Sequence, residues 1–354
     1  MMSAIIKPPD LSEAIGKSIE YLERRGKLEV FHVPEELNPF YRNVDIFGVS
    51  ASSFAGGSKA ITVRGLLADA EVRGKLEGVE EFKEATSGNT GLELALQARR
   101  YPFNKKVTLV IPTDIPASKK MMLHLAGAKL MLPAEGMSAI ETARMMGGGG
   151  WSADMNKWKP TADGVLNLDQ YANPANSLLH DAWTGPQILN QLERVDIFST
   201  TLGTTGTFGG IARALRRSKA KVVLIGAACA PGHEVPGVRD LKRLGEVSLP
   251  WKDYIDFFES VEQKQAYAVA CWLCQITGQL VGPSGGMALA ALLKVLRKNS
   301  KLMGGHRKKA AFFIPDGPER YADRFEANLP GQVFLSGPPK FPLPFDSIWG
   351  EWNL

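Results

Sequence analysis

The chain has 354 residues, of which 44% are hydrophobic and 22% are charged, and its formal net charge is +5. These proportions are ordinary for a protein that folds in water, and the length predicts about two domains. The densest basic clusters are short and lack interleaved aromatic residues, so nucleic acid is not an expected partner.

Membrane and metal functions have no support in the sequence. No apolar run is long enough to span a bilayer, and the first ten residues resemble no targeting segment, so we expect a cytoplasmic protein. Cys271 and Cys274 form a CxxC pair within an apolar, helical stretch. No second cysteine pair or histidine group accompanies them, so we interpret both as core thiols and predict no metal site.

Short apolar segments alternate with longer helical patterns along the chain. The predicted strands are residues 44–49, 106–111, 129–132, 196–200, 221–225 and 309–314. The predicted helices are residues 62–73, 92–98, 117–126, 138–146, 183–192, 209–216, 261–277 and 287–298. Such alternation predicts an α/β fold with mostly parallel sheets, whose ligands lie at the carboxyl ends of the strands. The glycine run at 147–150 and the polar stretch after it predict a surface loop.

The first candidate functional residue is a lysine that follows a glycine turn, Gly56-Gly57-Ser58-Lys59. Most lysines are solvated surface charges, and this interpretation stays open here. The functional alternative is a desolvated amine that forms a Schiff base, which a pyridoxal cofactor requires.

The segment Thr86-Ser87-Gly88-Asn89-Thr90-Gly91 places four polar side chains and two glycines before an apolar helix. The free N–H groups at a helix start favour an anion, so the segment suits a carboxylate or a phosphate. An ordinary helix cap has the same composition and is the alternative.

Two further glycine-rich loops follow predicted strands or helices. Residues 201–210 contain Gly203, Thr204, Thr205, Gly206 and Thr207 and run into a helix, without the spacing of a Walker or dinucleotide motif. Such a loop suits a single phosphate monoester, because glycine permits close approach and threonine hydroxyls donate hydrogen bonds. Residues 282–286, Gly-Pro-Ser-Gly-Gly, form the other loop.

Taken together, these motifs resemble the cysteine synthase and cystathionine β-synthase group of fold-type II pyridoxal-5′-phosphate enzymes. The similarity covers roughly residues 44–324. In chain order the motifs are the Gly-Gly-x-Lys turn, Thr-Ser-Gly-Asn-Thr-Gly, Gln170-Tyr-Ala-Asn173-Pro174-Ala-Asn176 with Thr184-Gly185-Pro186, the glycine and threonine loop, Gly-Pro-Ser-Gly-Gly, and Pro315-Asp316-Gly-Pro-Glu319-Arg320-Tyr321.

The resemblance implies a tryptophan synthase β-like fold of two three-layer domains with the active site between them. Residues 45–165 are expected to form a smaller, mobile domain that binds the substrate carboxylate. Residues 166–354 are expected to form a larger domain that binds the cofactor phosphate, with residues 1–44 as an extension packed on it. The family implies a homodimer, and the proline- and aromatic-rich tail at 337–352 is expected to cover either a neighbouring subunit or the surface of its own subunit.

The resemblance also implies a role for each matching residue. Lys59 binds pyridoxal 5′-phosphate as a Schiff base and later moves the substrate's α-proton. The implied cofactor contacts are Asn89 at the 3′ oxygen, Ser284 at the pyridine nitrogen, and Gly203, Thr204, Thr205, Gly206 and Thr207 at the phosphate. The implied clamp for the substrate's α-carboxylate is Thr86, Ser87, Thr90 and Gln170.

The chain departs from the family pattern around the lysine. Family members usually show Ser-x-Lys-Asp-Arg, whereas Gly57 stands at the serine position and Ala60-Ile61 follow Lys59. The lysine is therefore assigned by its distance from Asp69-Ala70-Glu71, which matches the family's helix without a gap. Thr205 stands where glycine is usual, and the N-terminal Gly-Asn-Thr-Pro segment is missing.

Arg239, in Pro236-Gly237-Val238-Arg239-Asp240, bears on the identity of the first substrate. Members of the family that use phosphoserine resemble this chain in having an arginine in the loop, whereas users of acetylserine have small residues there. An arginine fork matches a phosphate or carboxylate. A surface arginine paired with Asp240 or Glu234 is the alternative.

The function implied is β-replacement on an O-activated L-serine, acetyl or phospho, through an aminoacrylate, with a small nucleophile such as sulfide. The product is cysteine or a related β-substituted alanine. A β-lyase that releases pyruvate and ammonia, and a specialised synthase with another nucleophile, are the enzymatic alternatives. A non-catalytic homologue is the remaining one, although the cofactor contacts of Lys59, Asn89 and Ser284 argue against it.

Overall fold

Two β-sheets organise the residues that the computed structural model describes, which are 10–100, 104–147, 149–152, 157–159, 163–218 and 221–329. The strands are β1 Glu29–His32, β2 Val44–Ser50, β3 Glu81–Ala85, β4 Lys106–Val110, β5 Lys129–Met131, β6 Gly149–Ser152, β7 Lys157–Lys159, β8 Val165–Asn167, β9 Ile197–Thr201, β10 Val223–Cys229, β11 Phe257–Val261 and β12 Lys308–Ile314. The α-helices are α1 Leu11–Glu23, α2 Lys59–Val72, α3 Asn89–Ala98, α4 Ala117–Leu125, α5 Ala139–Met146, α6 Gly185–Leu192, α7 Gly206–Arg217, α8 Gln263–Thr277, α9 Pro283–Lys298 and α10 Ala322–Asn328.

The first sheet has the order β1-β2-β12-β9-β10-β11 and is parallel except for the β1–β2 pair. Successive residues of β12 point to opposite faces, as in any strand. Phe312 and Ile314 belong to the core formed with α8 and α9, whereas Ala311 and Phe313 belong to the core formed with α7. Both faces are therefore covered by helices, which gives three layers.

The second sheet has the order β5-β4-β3-β8-β6-β7 and is parallel except for the β6–β7 pair. Phe82 and Leu109 pack on one face, and Ala85 and Val110 pack with Ile140 of α5 on the other. The predicted α/β class, with two three-layer units and mostly parallel sheets, is confirmed.

Helix α2 is buried around nearly its whole circumference, from Ala60 to Ala70. Burial on all sides places the helix in the interior, where α2 contacts α1, α3 and the turn at Pro174–Ser177. It begins at Lys59, three residues before the predicted start at residue 62. Lys59 is thereby held at the end of a buried helix.

The strand β2 lies in the first sheet, paired with β12 from Val44 to Ser50. The predicted domain division at residue 45 assigned this segment to the smaller domain. Its alternating apolar residues instead fill the core of the sheet that carries β9 and β12. The smaller domain's mobility stays a prediction, and the tail at 337–352 lies outside the described residues.

Two strands of the second sheet have no clear pattern in the sequence. β3 has the sequence Glu-Phe-Lys-Glu-Ala, and its three charged residues are atypical of a central strand. β6 occupies part of the glycine run that predicted a surface loop, and Gly150 pairs with Asn167 of β8. Gly150 has φ of 135° and a Cβ there would lie 2.0 Å from the Asn167 carbonyl oxygen, so this position requires glycine.

Candidate active site

A cavity of about 420 Å³ is lined by residues that follow strands of both sheets. A smaller cavity of about 60 Å³ adjoins it, and both include Lys59 and Asn89. The predicted site residues that line one or both are Lys59, Thr86, Ser87, Asn89, Thr90, Gln170, Gly203, Thr204, Thr205, Thr207, Arg239 and Ser284. The parallel strands bring these loops together because their carboxyl ends lie at the same edge of each sheet.

Lys59 follows a turn that glycine makes possible. Gly57 has φ of 61°, and a Cβ there would lie 2.1 Å from the carbonyl oxygen of Pro315. Among the described residues, the Lys59 amine has no hydrogen bond or ion pair. Burial lowers the pKa of Lys59 to about 8, although the Asp316 carboxylate acts in the opposite direction. Near physiological pH a larger fraction of this amine is therefore neutral than in an ordinary lysine, and the neutral form is the nucleophile.

The loop at residues 86–91 is ordered by its own side chains. The Thr86 hydroxyl oxygen accepts hydrogen bonds from the N–H groups of Gly88 and Gly91, each at 3.0 Å. The Thr90 hydroxyl donates to Gln170 Oε1 at 2.7 Å, and Gln170 Nε2 donates to the Ala85 carbonyl at 2.7 Å. These hydrogen bonds of Thr86, Thr90 and Gln170 fix the loop at the amino end of α3, where an anion is favoured.

The loop at residues 203–207 leads into α7. Thr204 Oγ1 accepts a hydrogen bond from Asn176 Nδ2 at 2.9 Å. Thr205 has φ of 66°, in the left-handed region, and its buried hydroxyl has no hydrogen-bond partner among the described residues. Gly206 lines neither cavity, because it packs on Asn176, where a Cβ would lie 1.9 Å from Oδ1. The orphaned hydroxyl and the helix start provide donors for an oxygen-rich anion.

His180 lies beneath this loop and was not found from the sequence. Its Nε2 is 3.1 Å from Thr207 Oγ1 and 3.2 Å from Thr62 Oγ1, and its Nδ1 is 3.1 Å from Thr184 Oγ1. Burial holds the pKa of His180 well below its usual value, so the ring is neutral. It ties the 203–207 loop to helix α2, which begins at Lys59.

Asp316 connects two predicted cofactor contacts. This carboxylate is 1% exposed, and it accepts hydrogen bonds from Asn89 Nδ2 at 2.5 Å, Tyr321 Oη at 2.5 Å and Ser284 Oγ at 3.4 Å. Sequence reasoning included Asp316 in a motif but gave it no role. The available signal was a lone acid directly after a buried strand, at the edge of the sheet where ligands bind.

Lys119 is a second lysine in the larger cavity, and sequence reasoning missed it. It is the third residue of α4 and only 3% exposed. Its amine lies 4.3 Å from the centroid of the Tyr321 ring. Burial lowers the pKa of Lys119 to about 8.

Arg239 lines the larger cavity, but part of its guanidinium is already engaged. Nη1 donates to the Arg243 carbonyl at 2.6 Å and to Glu246 Oε2 at 2.7 Å. The guanidinium also lies 4.9 Å from the centroid of the Tyr171 ring. Its acidic partner is thus Glu246, which was neither of the acids considered from the sequence.

No group of three or more potential metal ligands occurs among the described residues. Cys271 and Cys274 are partly buried, and burial raises the pKa of both thiols. None of the helices described has the length and apolarity needed to cross a bilayer.

The sequence model of a family described as pyridoxal-phosphate dependent enzyme matches residues 52–316. Cysteine synthase A from Salmonella typhi is 32% identical over 272 residues, which cover 72% of this chain and 79% of that protein.

Solved structures give the same fold. An O-ureido-L-serine synthase superposes with a TM-score of 0.72 at 20% identity, covering 89% of this chain and 96% of that one. A hydrogen sulfide-producing enzyme from Fusobacterium nucleatum superposes with a TM-score of 0.70 at 21% identity, covering 85% and 98%. At these identities the structures establish the architecture alone.

Proposed function

The chain belongs to the pyridoxal-phosphate dependent enzymes and is a relative of the cysteine synthases, and from this we propose that it catalyses β-replacement on an O-activated L-serine. The bond between the β-carbon and the ester oxygen breaks, acetate or phosphate leaves, and sulfide or a related nucleophile bonds to the β-carbon. One observation carries the proposal: a pair of adjoining cavities joins the unpartnered amine of Lys59 to two separate anion-binding loops, at 86–91 and 203–207. One loop suits the substrate's carboxylate and the other suits a phosphate.

The residues of the smaller cavity fit pyridoxal 5′-phosphate, the cofactor of this family. The buried hydroxyls of Thr200 and Thr205 lack partners among the described residues and are available to phosphate oxygens. A Cβ on Gly203 would lie 2.4 Å from the Gly237 carbonyl oxygen, so this position of the loop requires glycine. Lys59 supplies the amine that binds the cofactor's aldehyde carbon.

When bound, the cofactor withdraws electrons from the substrate's α-carbon and so makes the α-proton acidic. In our proposal, Lys59 Nζ would hold the cofactor in the resting protein and, once the substrate is bound, would take this proton from the α-carbon. A neutral amine is needed for that step, and the lowered pKa of Lys59 supplies it. The α-carboxylate is held by Thr86, Ser87, Thr90 and Gln170, while Asn89 and Ser284 contact the cofactor ring.

The reaction can be tested with three candidate substrates. The protein, loaded with pyridoxal 5′-phosphate, is incubated with O-acetyl-L-serine, O-phospho-L-serine or L-serine, with and without sulfide. We expect cysteine from at least one activated serine, formed only when sulfide is present. Equal amounts of pyruvate with and without sulfide, and no amino-acid product, would instead identify a β-lyase. Absence of any product, together with no cofactor binding, would favour a non-catalytic homologue.

The change Thr205→Gly is expected to stabilise the cofactor-free protein by about 1 kcal/mol, because glycine adopts the left-handed backbone without strain. It should also weaken cofactor binding by about tenfold, because one donor to the charged phosphate is lost. Denaturant unfolding and fluorescence titration measure the two effects. Asp163→Gly is the control, since Asp163 is exposed and has φ of 54° but lies outside the cavities. Unchanged cofactor affinity in Thr205→Gly would contradict the phosphate contact.

The change Arg239→Ala tests recognition of an acidic leaving group. We expect KM for O-phospho-L-serine to rise about tenfold, while KM for O-acetyl-L-serine changes less than twofold, because only the former offers an anion to the guanidinium. Lys242→Ala removes a nearby exposed charge and should change neither value. Equal losses with both substrates would show that Arg239 acts through its contacts with Glu246 and Tyr171.

A further inference from the structure

Lys119 is a buried lysine that is not paired with an acid at ion-pair distance among the described residues, although the Asp316 and Asp323 carboxylates act on it from farther away. Its side chain is 3% exposed, yet among the described residues its amine makes no hydrogen bond or ion pair. Its nearest described partner is the face of the Tyr321 ring, at 4.3 Å. Burying an ammonium group is costly unless it is paired, so a lysine in this setting points to a missing partner.

The amine lies beside the loop that suits a carboxylate. A Cβ on Gly88 would lie 2.7 Å from Lys119 Cδ, and φ of 135° at Gly88 also excludes most other residues. The missing side chain at Gly88 thus provides the room in which the lysine stem runs along the 86–91 loop. Lys119 lines the same cavity as Thr86 and Ser87.

The other cations around the larger cavity have partners. Arg239 is bound by Glu246 and the Arg243 carbonyl, and Arg324 Nη2 donates to the Asp114 carbonyl at 2.8 Å. Lys59 is assigned to the cofactor by the function proposed above. Arg243 forms an ion pair with Asp240 at 3.5 Å. Apart from Lys59, Lys119 is therefore the cation among the described cavity residues whose charged group has no hydrogen bond or ion pair to the protein.

We infer that Lys119 is a further binding residue beside the 86–91 loop and binds a carboxylate or phosphate group of the amino-acid substrate. The inference rests on the proposed function. Two sources offer this chemistry, namely the α-carboxylate of any substrate and the phosphate of an O-phosphoserine. Lys119 donates a charge-assisted hydrogen bond to the anion, in addition to the loop's hydroxyl and N–H donors.

This role of Lys119 is tested by substrate binding to the Lys119→Met protein loaded with pyridoxal 5′-phosphate. Dissociation constants are measured from the change in cofactor absorbance with L-serine, L-serinamide and O-phospho-L-serine. We expect the dissociation constant of each compound whose anion contacts Lys119 to rise at least about tenfold. If the α-carboxylate is the ligand, both acids weaken and the amide does not. If the phosphate is the ligand, only O-phospho-L-serine weakens.

Two variants provide controls. Lys120→Met removes the exposed neighbouring lysine and should bind all three compounds as the wild type does. Lys119→Arg keeps the positive charge, so we expect it to restore much of the affinity that Lys119→Met loses. Wild-type affinities for all three compounds in Lys119→Met, in a protein that melts normally, would overturn the inference. Failure of the wild-type protein to bind the cofactor would instead refute the proposed function.

Discussion

Replacing Lys59 with alanine is expected to remove the visible absorbance of the cofactor-loaded protein and to lower turnover of an activated serine by about 10³-fold or more. The variant loses both the amine that binds the cofactor and the base that moves the α-proton. Absorbance spectra and product formation measure the two losses. Lys120→Ala is the control, since it removes an exposed lysine that lines neither cavity.

The Lys59 variant should fold normally, because its amine has no hydrogen bond or ion pair among the described residues. Reduction of the wild-type complex with borohydride, followed by peptide mass spectrometry, should place the cofactor on Lys59. A visible band that persists in Lys59→Ala, or a reduced adduct on another lysine, would contradict the assignment.

The lowered pKa of Lys59 predicts how the rate of cofactor uptake depends on pH. The neutral form attacks the cofactor's aldehyde, and burial lowers the pKa of Lys59 to about 8. The rate of cofactor uptake by the free protein should therefore rise with pH up to about 8 and become constant above it. Stopped-flow absorbance measures this profile. A midpoint near 10.4, the ordinary value for lysine, would show that the amine is solvated.

The change Asp316→Asn is expected to have the second large effect. Three donors, from Asn89, Ser284 and Tyr321, converge on this buried carboxylate. An amide retains one acceptor oxygen and directs N–H groups at the remaining donors, so the free energy of unfolding should fall by about 2–3 kcal/mol. Cofactor affinity should fall as well, since Asn89 and Ser284 lose the group that orients them. Asp253→Asn, at an exposed position, provides the control for denaturant unfolding.

A second measurement separates the electrostatic role of Asp316 from a purely structural one. The carboxylate raises the pKa of Lys59 against the effect of burial. Removal of its charge should lower that pKa further, so the midpoint of the cofactor-uptake profile should move to a pH below 8. If Asp316→Asn is less stable but keeps the wild-type midpoint, the residue acts only through its hydrogen bonds.

Much of the site was predictable because its loops impose local requirements on the backbone. The glycines of the 86–91 and 203–207 loops permit close approach and unusual dihedral angles, and such requirements leave a trace in a few consecutive residues. Thr205 is instructive, since it stands where glycine is usual and does adopt φ of 66°. The start of α2 was predicted three residues late, because the turn that precedes Lys59 consists of residues that also favour loops.

The partners of the site residues were not predictable in this way. Asp316 receives a hydrogen bond from Asn89, 227 residues earlier in the chain, and His180 contacts Thr62 and Thr207 from a third element. Lys119 belongs to the site because α4 follows β4, which adjoins β3 in the second sheet. No periodicity or spacing in the sequence encodes such contacts.

By itself, the sequence determined the fold class, the order of the motifs and the glycine-rich loops, because hydrophobic periodicity and backbone freedom are properties of neighbouring residues. The tertiary structure alone decided that β2 belongs to the first sheet and that the charged segment Glu81–Ala85 is a central strand. It alone placed Asp316 and Lys119 beside the predicted residues. Strand pairing and side-chain burial depend on residues far apart in the chain, and these become neighbours only when the sheets form.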